Sequence, residues 1–157
     1  MKTKRRSVGN KRRLTRRNSK KGGTNKDSEN QALTEIRELK SGGSIITRYK
    51  GFSKSKQQNI FVITSSIKQI VKSSRTQEDR FTKLIELYKV MPKTMKKNPK
   101  VIKSLLTYEP YILVTNTLPK DIRKQEFAWK TALKSDESVL LLLDKQLQRH
   151  ILESESS

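Results

Sequence analysis

The sequence predicts a mainly α protein: a small helical domain, with possible helix-pair repeats, carrying a disordered basic N-terminal tail. Three observations carry that prediction. Apolar residues recur at helical spacing over the C-terminal half. Alternating, strand-like segments are scarce. Charge is also unevenly split: of 36 Lys and Arg in 157 residues, twelve fall within the first 26, where there is no acid.

Residues 1–26 are the tail. Their apolar content is Met1, Val8 and Leu14. Nothing there offsets an ordering cost of ~1–2 kcal/mol per residue, so the composition predicts disorder until a polyanion is met. The first acid is Asp27, and the formal charge of +21 divides into +12 on the tail and +9 on the rest. Fully extended, the tail would reach about 85 Å, at ~3.3 Å per residue.

Residues 27–75 read as a short helix, a linker and an ambiguous segment. Asp27 or Ser28 suits a helix cap ahead of Leu33, Ile36 and Leu39, and Ser41-Gly42-Gly43 reads as the break. Ile45 to Phe52 fits a short strand or a loop. Ile60, Ile63, Ile67, Ile70 and Val71 share one helical face, although the β-branched and aromatic run Ile60–Thr64 also fits a strand.

Residues 76–153 read as the helical domain. Thr76 precedes Phe81, Leu84, Ile85, Tyr88 and Met91 at helical spacing, and Pro92 ends that helix. Asn98-Pro99 has the form of an N-cap followed by N1, ahead of Val101, Ile102, Leu105 and Leu106. Pro110 stops this helix, and Tyr111–Val114 is too short to classify. Pro119 opens a helix with Ile122, Glu126, Trp129 and Leu133 on one side. Ser135 or Asp136 caps the last, with Val139, Leu140, Leu143, Leu147 and Ile151 inward. A weak repeat aligns Met95–Leu105 with Leu133–Leu143 at an offset of 38, matching Asn98 to Asp136.

Composition excludes several chemistries. There is no Cys, hence no disulfide, thiolate nucleophile or Cys-based zinc site. A single His rules out metal sites built from several imidazoles. No apolar run approaches the ~18 residues of a membrane span, and the first residues lack the apolar stretch of a secretory signal. No phosphate-binding glycine loop or dinucleotide fingerprint occurs. His150 sits near the end of the last helix, where a cation suits the dipole. Glu78, Asp79 and Glu86 beside Arg80 and Lys83 read as solvated helix-face charges. No catalytic, metal or cofactor-binding residue is therefore expected.

The cations are informative. Lys4-Arg5-Arg6, Lys11-Arg12-Arg13, Arg16-Arg17 and Lys20-Lys21 are spaced by Ser, Thr, Asn and Gly. Such spacing suits neutralisation of successive phosphates without base reading. The Arg-rich centre favours bidentate phosphate contacts and minor-groove insertion. Lys93, Lys96, Lys97 and Lys100, with Lys103, form a second basic cluster around the Asn98-Pro99 helix start, whose N–H groups attract anions. Tyr49, between Arg48 and Lys50, is a candidate base or phosphate contact, and Trp129 a core anchor. Thr15 and Ser19 follow paired arginines in a form that basic-directed kinases prefer. The expected partner is nucleic acid, DNA favoured over RNA, or an acidic protein surface.

The run over residues 11–23, Lys-Arg-Arg-Leu-Thr-Arg-Arg-Asn-Ser-Lys-Lys-Gly-Gly, resembles basic arms on small virion and core proteins of giant double-stranded DNA viruses. The stretch from Met95 to Leu147 is similar to short helical repeats of unknown function in those genomes. It carries Lys96-Lys97-Asn98 before Val101, and Leu133-Lys134-Ser135-Asp136 before Val139-Leu140. The resemblance implies a packaged structural protein associated with DNA or with a capsid or core protein partner. The expected function is thus a nucleic-acid-binding virion or DNA-packaging component, located in the virion or alternatively the nucleus. The alternatives are a capsid cement or protein scaffold, and an RNA- or ribosome-associated protein.

Overall fold

The computed structural model describes residues 24–156, with side chains over 27–154. The expectation of tail disorder falls on residues outside these, apart from the first helical residues. Among the described residues there are eleven α-helices, one 3-10 helix and no strand, so the chain is mainly α.

Helix α1 (Thr24–Arg37) starts earlier than Asp27 or Ser28, so neither is its cap. Gly22-Gly23 precede it, and no Gly or Pro interrupts the residues after them. Ala32 and Ile36 are buried, and Leu39 lies beyond its end. Ser41 caps α2 (Gly42–Gly51), its hydroxyl accepting from Ser44 N at 3.1 Å. The two glycines therefore open a helix as well as ending the preceding connection. Gly42 lies close to α5: a Cβ there would stand 2.8 Å from Lys83 Cγ.

The segment expected as strand or loop, Ile45–Phe52, lies almost wholly in α2, with Ile45, Ile46 and Tyr49 inward. The one-turn helix α3 (Lys54–Gln57) leads to α4 (Ile60–Ser73), capped by Asn59. Here helix wins over strand despite the β-branched run. Val62, Ile63, Ser66, Ile67 and Ile70 form one buried face, while Phe61 stays exposed. The buried Ser66 hydroxyl donates to Val62 O at 2.8 Å. Helix α4 is central, packing against α1, α2, α5 and α7.

Helix α5 (Gln77–Lys89) is capped by Thr76 and buries Leu84, Leu87 and Tyr88. After it come α6 (Lys93–Lys96) and α7 (Pro99–Tyr108), the latter capped by Asn98 with Pro99 in the first turn. Pro110–Val114 is the 3-10 helix. The single helix expected from Pro119 is instead two, α8 (Lys120–Arg123) and α9 (Glu126–Ser135). The expected last helix is also two, α10 (Val139–Leu142) and α11 (Lys145–Ser156). Asp136 ends α9 rather than starting a helix, and its carboxylate accepts from Ser138 N at 3.0 Å. Trp129 is buried in one core that runs from Ala32 to Ile151.

These pairs of short and long helices reveal the repeat, in a register other than 38. Helices α6 and α7 start at Lys93 and Pro99; α8 and α9 start 27 positions later, at Lys120 and Glu126. Their ends match too, Tyr108 with Ser135, followed by the acidic C-caps Glu109 and Asp136. Upstream, α3 and α4 start at Lys54 and Ile60, 39 positions before α6 and α7. The inward positions correspond across all three: Val62, Val101 and Ala128; Ile63, Ile102 and Trp129; Ser66, Leu105 and Ala132 are all buried. The offset of 38 fails because Asn98 begins a helix whereas Asp136 ends one.

One device recurs in the first two units. Tyr49 Oη donates to Gln57 O at 2.6 Å, and 39 positions on Tyr88 Oη donates to Lys96 O at 2.7 Å. Each phenol ties the preceding long helix to the end of the short one.

Candidate nucleic-acid interface

Lys4, Arg5, Arg6, Lys11, Arg12, Arg13, Arg16, Arg17, Lys20 and Lys21 lie outside the described residues. Of the second cluster, Lys93, Lys97 and Lys100 are exposed, and Lys96 is half-buried. Lys93 and Lys96 stand at the two ends of α6, Lys97 is its C-cap residue, and Lys100 sits in the first turn of α7. The structure therefore brings the four predicted cations around one corner, where α6 turns into α7.

Two features of that corner differ from expectation. The cluster has no acid along the chain, yet Lys97 Nζ lies 3.9 Å from Asp121 Oδ2, supplied by α8. The pair is exposed on both sides, so it weakens the local field only slightly. The α7 start is also less available to an anion than predicted. Asn98 Oδ1 accepts from Lys100 N at 2.8 Å and Val101 N at 3.4 Å, so the cap itself satisfies these donors. Lys96 Nζ sits 5.9 Å from the centre of the Tyr88 ring.

The repeat extends the corner to residues that linear clustering missed. Lys54, Lys93 and Lys120 begin the three short helices and are all exposed. Arg123 and Lys124 on α8 occupy the positions of Lys96 and Lys97 on α6. Each helix pair thus presents Lys at the same corner. The sequence signal was Pro-Lys at Pro92-Lys93 and again at Pro119-Lys120, each followed by an apolar residue two positions on, Met95 and Ile122. Those two apolar side chains are buried and hold the short helices down with their cations outward.

Tyr49 makes no surface contact of the kind predicted. It is fully buried, its hydroxyl is taken by Gln57 O, and burial pushes its pKa above the ordinary tyrosine value. Its neighbour Arg48 ion-pairs with Glu35 and lies over the Phe52 ring, 5.4 Å from the centroid. Tyr88 behaves similarly: burial first, then the Asp121 charge, pushes its phenol up to about 12. His150 is exposed in the middle of α11, away from the helix end assumed for it.

The charges on α5 divide. Lys83 pairs with Glu86 at 3.8 Å on the surface. Arg80 instead turns to Glu109, a fully buried carboxylate, with Nε 3.2 Å from Oε1; Gln77 Nε2 lies 3.4 Å from Oε2. This pair joins α5 to the end of α7 and is structural. Nothing in the sequence marks Glu109 as the one buried acid of the described chain.

Among the described residues no group of His, Asp and Glu could hold a metal ion, and no helix is long and apolar enough to cross a membrane. Comparison with family models, curated proteins and solved structures found no match to this chain.

Proposed function

We propose that the protein binds nucleic acid through the phosphate backbone, as a structural or packaging component. The observation that carries this reading is the recurrence of exposed lysine at one corner of each helix pair, Lys54, Lys93 and Lys120. The twelve cations of residues 1–26 supply most of the affinity by counterion release, and the repeat corners supply position. The arginine-rich arm favours DNA, and the resemblance to basic arms of giant-virus core proteins points to packaged DNA in a virion.

The test is duplex binding as a function of salt. With about half the arm cations engaged, the slope of log K against log[salt] is expected near −5. Removing residues 1–23, which leaves α1 whole, should abolish most of the affinity and flatten the slope. Changing Lys54, Lys93 and Lys120 together to Gln should weaken binding further and alike for all sequences. Equal affinity and slope before and after both changes would overturn the reading. A second reading, a scaffold or capsid cement, draws on the exposed Leu141, Leu142 and Leu152 near the C-terminal end. It predicts a native protein that is free of nucleic acid and co-purifies with a coat protein.

A further inference from the structure

The corner of the third unit differs from the others because residues of α11 flank it. Together α8 and α11 line a cavity of about 480 Å3. Lys120, Arg123 and Lys124 line it from α8, and Gln146, Leu147 and His150 from α11. That volume is within the ~300–1,000 Å3 usual for small-ligand sites. The one acid in its wall is Asp144, whose Oδ1 already accepts from Leu147 N at 2.9 Å and so caps α11. Arg123 Nε is buried and has no hydrogen-bond partner. An atom closed to water is closed to a ligand oxygen as well, so any contact Arg123 makes in the cavity falls to its terminal nitrogens.

We infer that this cavity is a binding site for a phosphate monoester, the group carried by a mononucleotide or by the terminus of a nucleic-acid strand. The charge balance selects the class. Three permanent cations against Asp144 leave a surplus of two, counting His150 as neutral. A monoester carries about −1.5 to −2 at pH 7 and matches that surplus, whereas a backbone diester carries a single charge. The guanidinium of Arg123 suits a bidentate pair of phosphate oxygens through its two terminal nitrogens. Leu147 gives the sugar or base an apolar wall, and Gln146 a hydrogen-bonding one. The strand-end form of this inference rests on the nucleic-acid reading above; the mononucleotide form does not.

The experiment uses the full chain at a salt concentration high enough to suppress arm binding. Three probes are titrated: a 5′-phosphorylated single-stranded oligonucleotide, the same strand with a 5′-hydroxyl, and adenosine 5′-monophosphate with adenosine as control. His150, the only histidine, reports occupancy through its ring NMR signals. The phosphorylated strand should bind tighter than the hydroxyl strand by about tenfold, the ratio one charge-assisted hydrogen bond supplies. Adenosine 5′-monophosphate should shift His150, and adenosine should not. Arg123→Gln should remove the preference and the shift, whatever its effect on the affinity of the hydroxyl strand. A His150 shift without strand preference assigns the cavity to free nucleotide. No preference and no shift with any phosphorylated probe in the unmodified protein would overturn the inference, whether or not Arg123→Gln folds. Binding of neither strand at low salt, with the His150 shift retained, would remove the backbone reading and leave the cavity site standing.

Discussion

The α6–α7 and α8–α9 units share helix lengths, spacing and acidic C-caps, yet they solve packing and charge differently. Of the four buried positions of α7, three hold Val101, Ile102 and Leu105; their counterparts in α9 hold Ala128, Trp129 and Ala132. Even layering becomes one large ring flanked by two small residues, so a similar space is filled from one position. At the corners the cations of α6 stand open or reach a neighbour, as Lys97 reaches Asp121, while those of α8 share a cavity with residues of α11. The lesson is that a repeat fixes where a side chain leaves the backbone. What lies above it decides whether the position becomes surface or cavity.

The largest expected effect tests the packing contrast. Trp129→Ala should cost about 3–5 kcal/mol, because its flanking alanines cannot expand into the space. Leu105→Ala should cost less, about 2–4 kcal/mol, since larger neighbours can relax toward it. Urea denaturation of both variants gives the comparison, and equal losses would mean the two cores are not differently layered.

The acidic C-caps come next. Glu109 is buried against Arg80, whereas Asp136 is more open and is held by Tyr111 Oη at 2.5 Å and by Ser138. Those hydrogen bonds, the Tyr111 one foremost, keep the Asp136 carboxyl below its usual range. Arg80→Ala strands a buried carboxylate and should cost about 3 kcal/mol. Tyr111→Phe leaves Asp136 with Ser138 and water, and should cost about 1 kcal/mol or less. Thermal melts near neutral pH rank the two, and a larger loss from Tyr111→Phe would invert the contrast.

Helix starts differ as well. Asn98 caps α7 through two N–H groups, while Gln125 makes no side-chain cap bond at α9. Asn98→Ala should therefore cost about 1 kcal/mol and Gln125→Ala close to nothing. Comparable losses at the two sites would show that capping is not what separates them.

The smallest effect concerns the phenol that α6 has and α8 lacks. Tyr88 Oη holds Lys96 O, whereas the position 27 residues on is Thr115. Tyr88→Phe should cost about 0.5–1 kcal/mol at neutral pH. Its folded-state pKa of about 12 lies above the ordinary 10.0, so the neutral phenol is the stabilised form. Its contribution is complete below pH 10 and is lost as pH rises toward 12. The stability difference between the native protein and the Phe variant should shrink over that interval. A difference that stays constant across pH 10–12 would place the phenol in water.

How much of this was legible depends on where the deciding contact lies. Asn98 and Pro99 could be read because capping is local: a donor two or three residues away settles it. The mistaken α2 segment shows the opposite. Ile45–Phe52 is short, with too few apolar residues to show a period, and its burial against α4 and α5 is what selects helix over strand after the Ser41 cap. The same holds for Tyr49, whose flanking cations suggested a surface while the core took the ring. Glu109 and Arg80 are 29 positions apart, so no periodicity could pair them.

By itself the sequence determined the helical class, the Asn98-Pro99 cap, the buried Trp129 and the concentration of positive charge at the N-terminus. These follow from local hydrogen bonding, apolar period and composition, which need no distant partner. The tertiary structure alone decided the register of the repeat, the breaks at Lys124-Gln125 and Leu143-Asp144, the burial of Glu109 and the cavity beside Arg123. Each depends on which helices meet, and that is set by volumes and charges brought together from far along the chain.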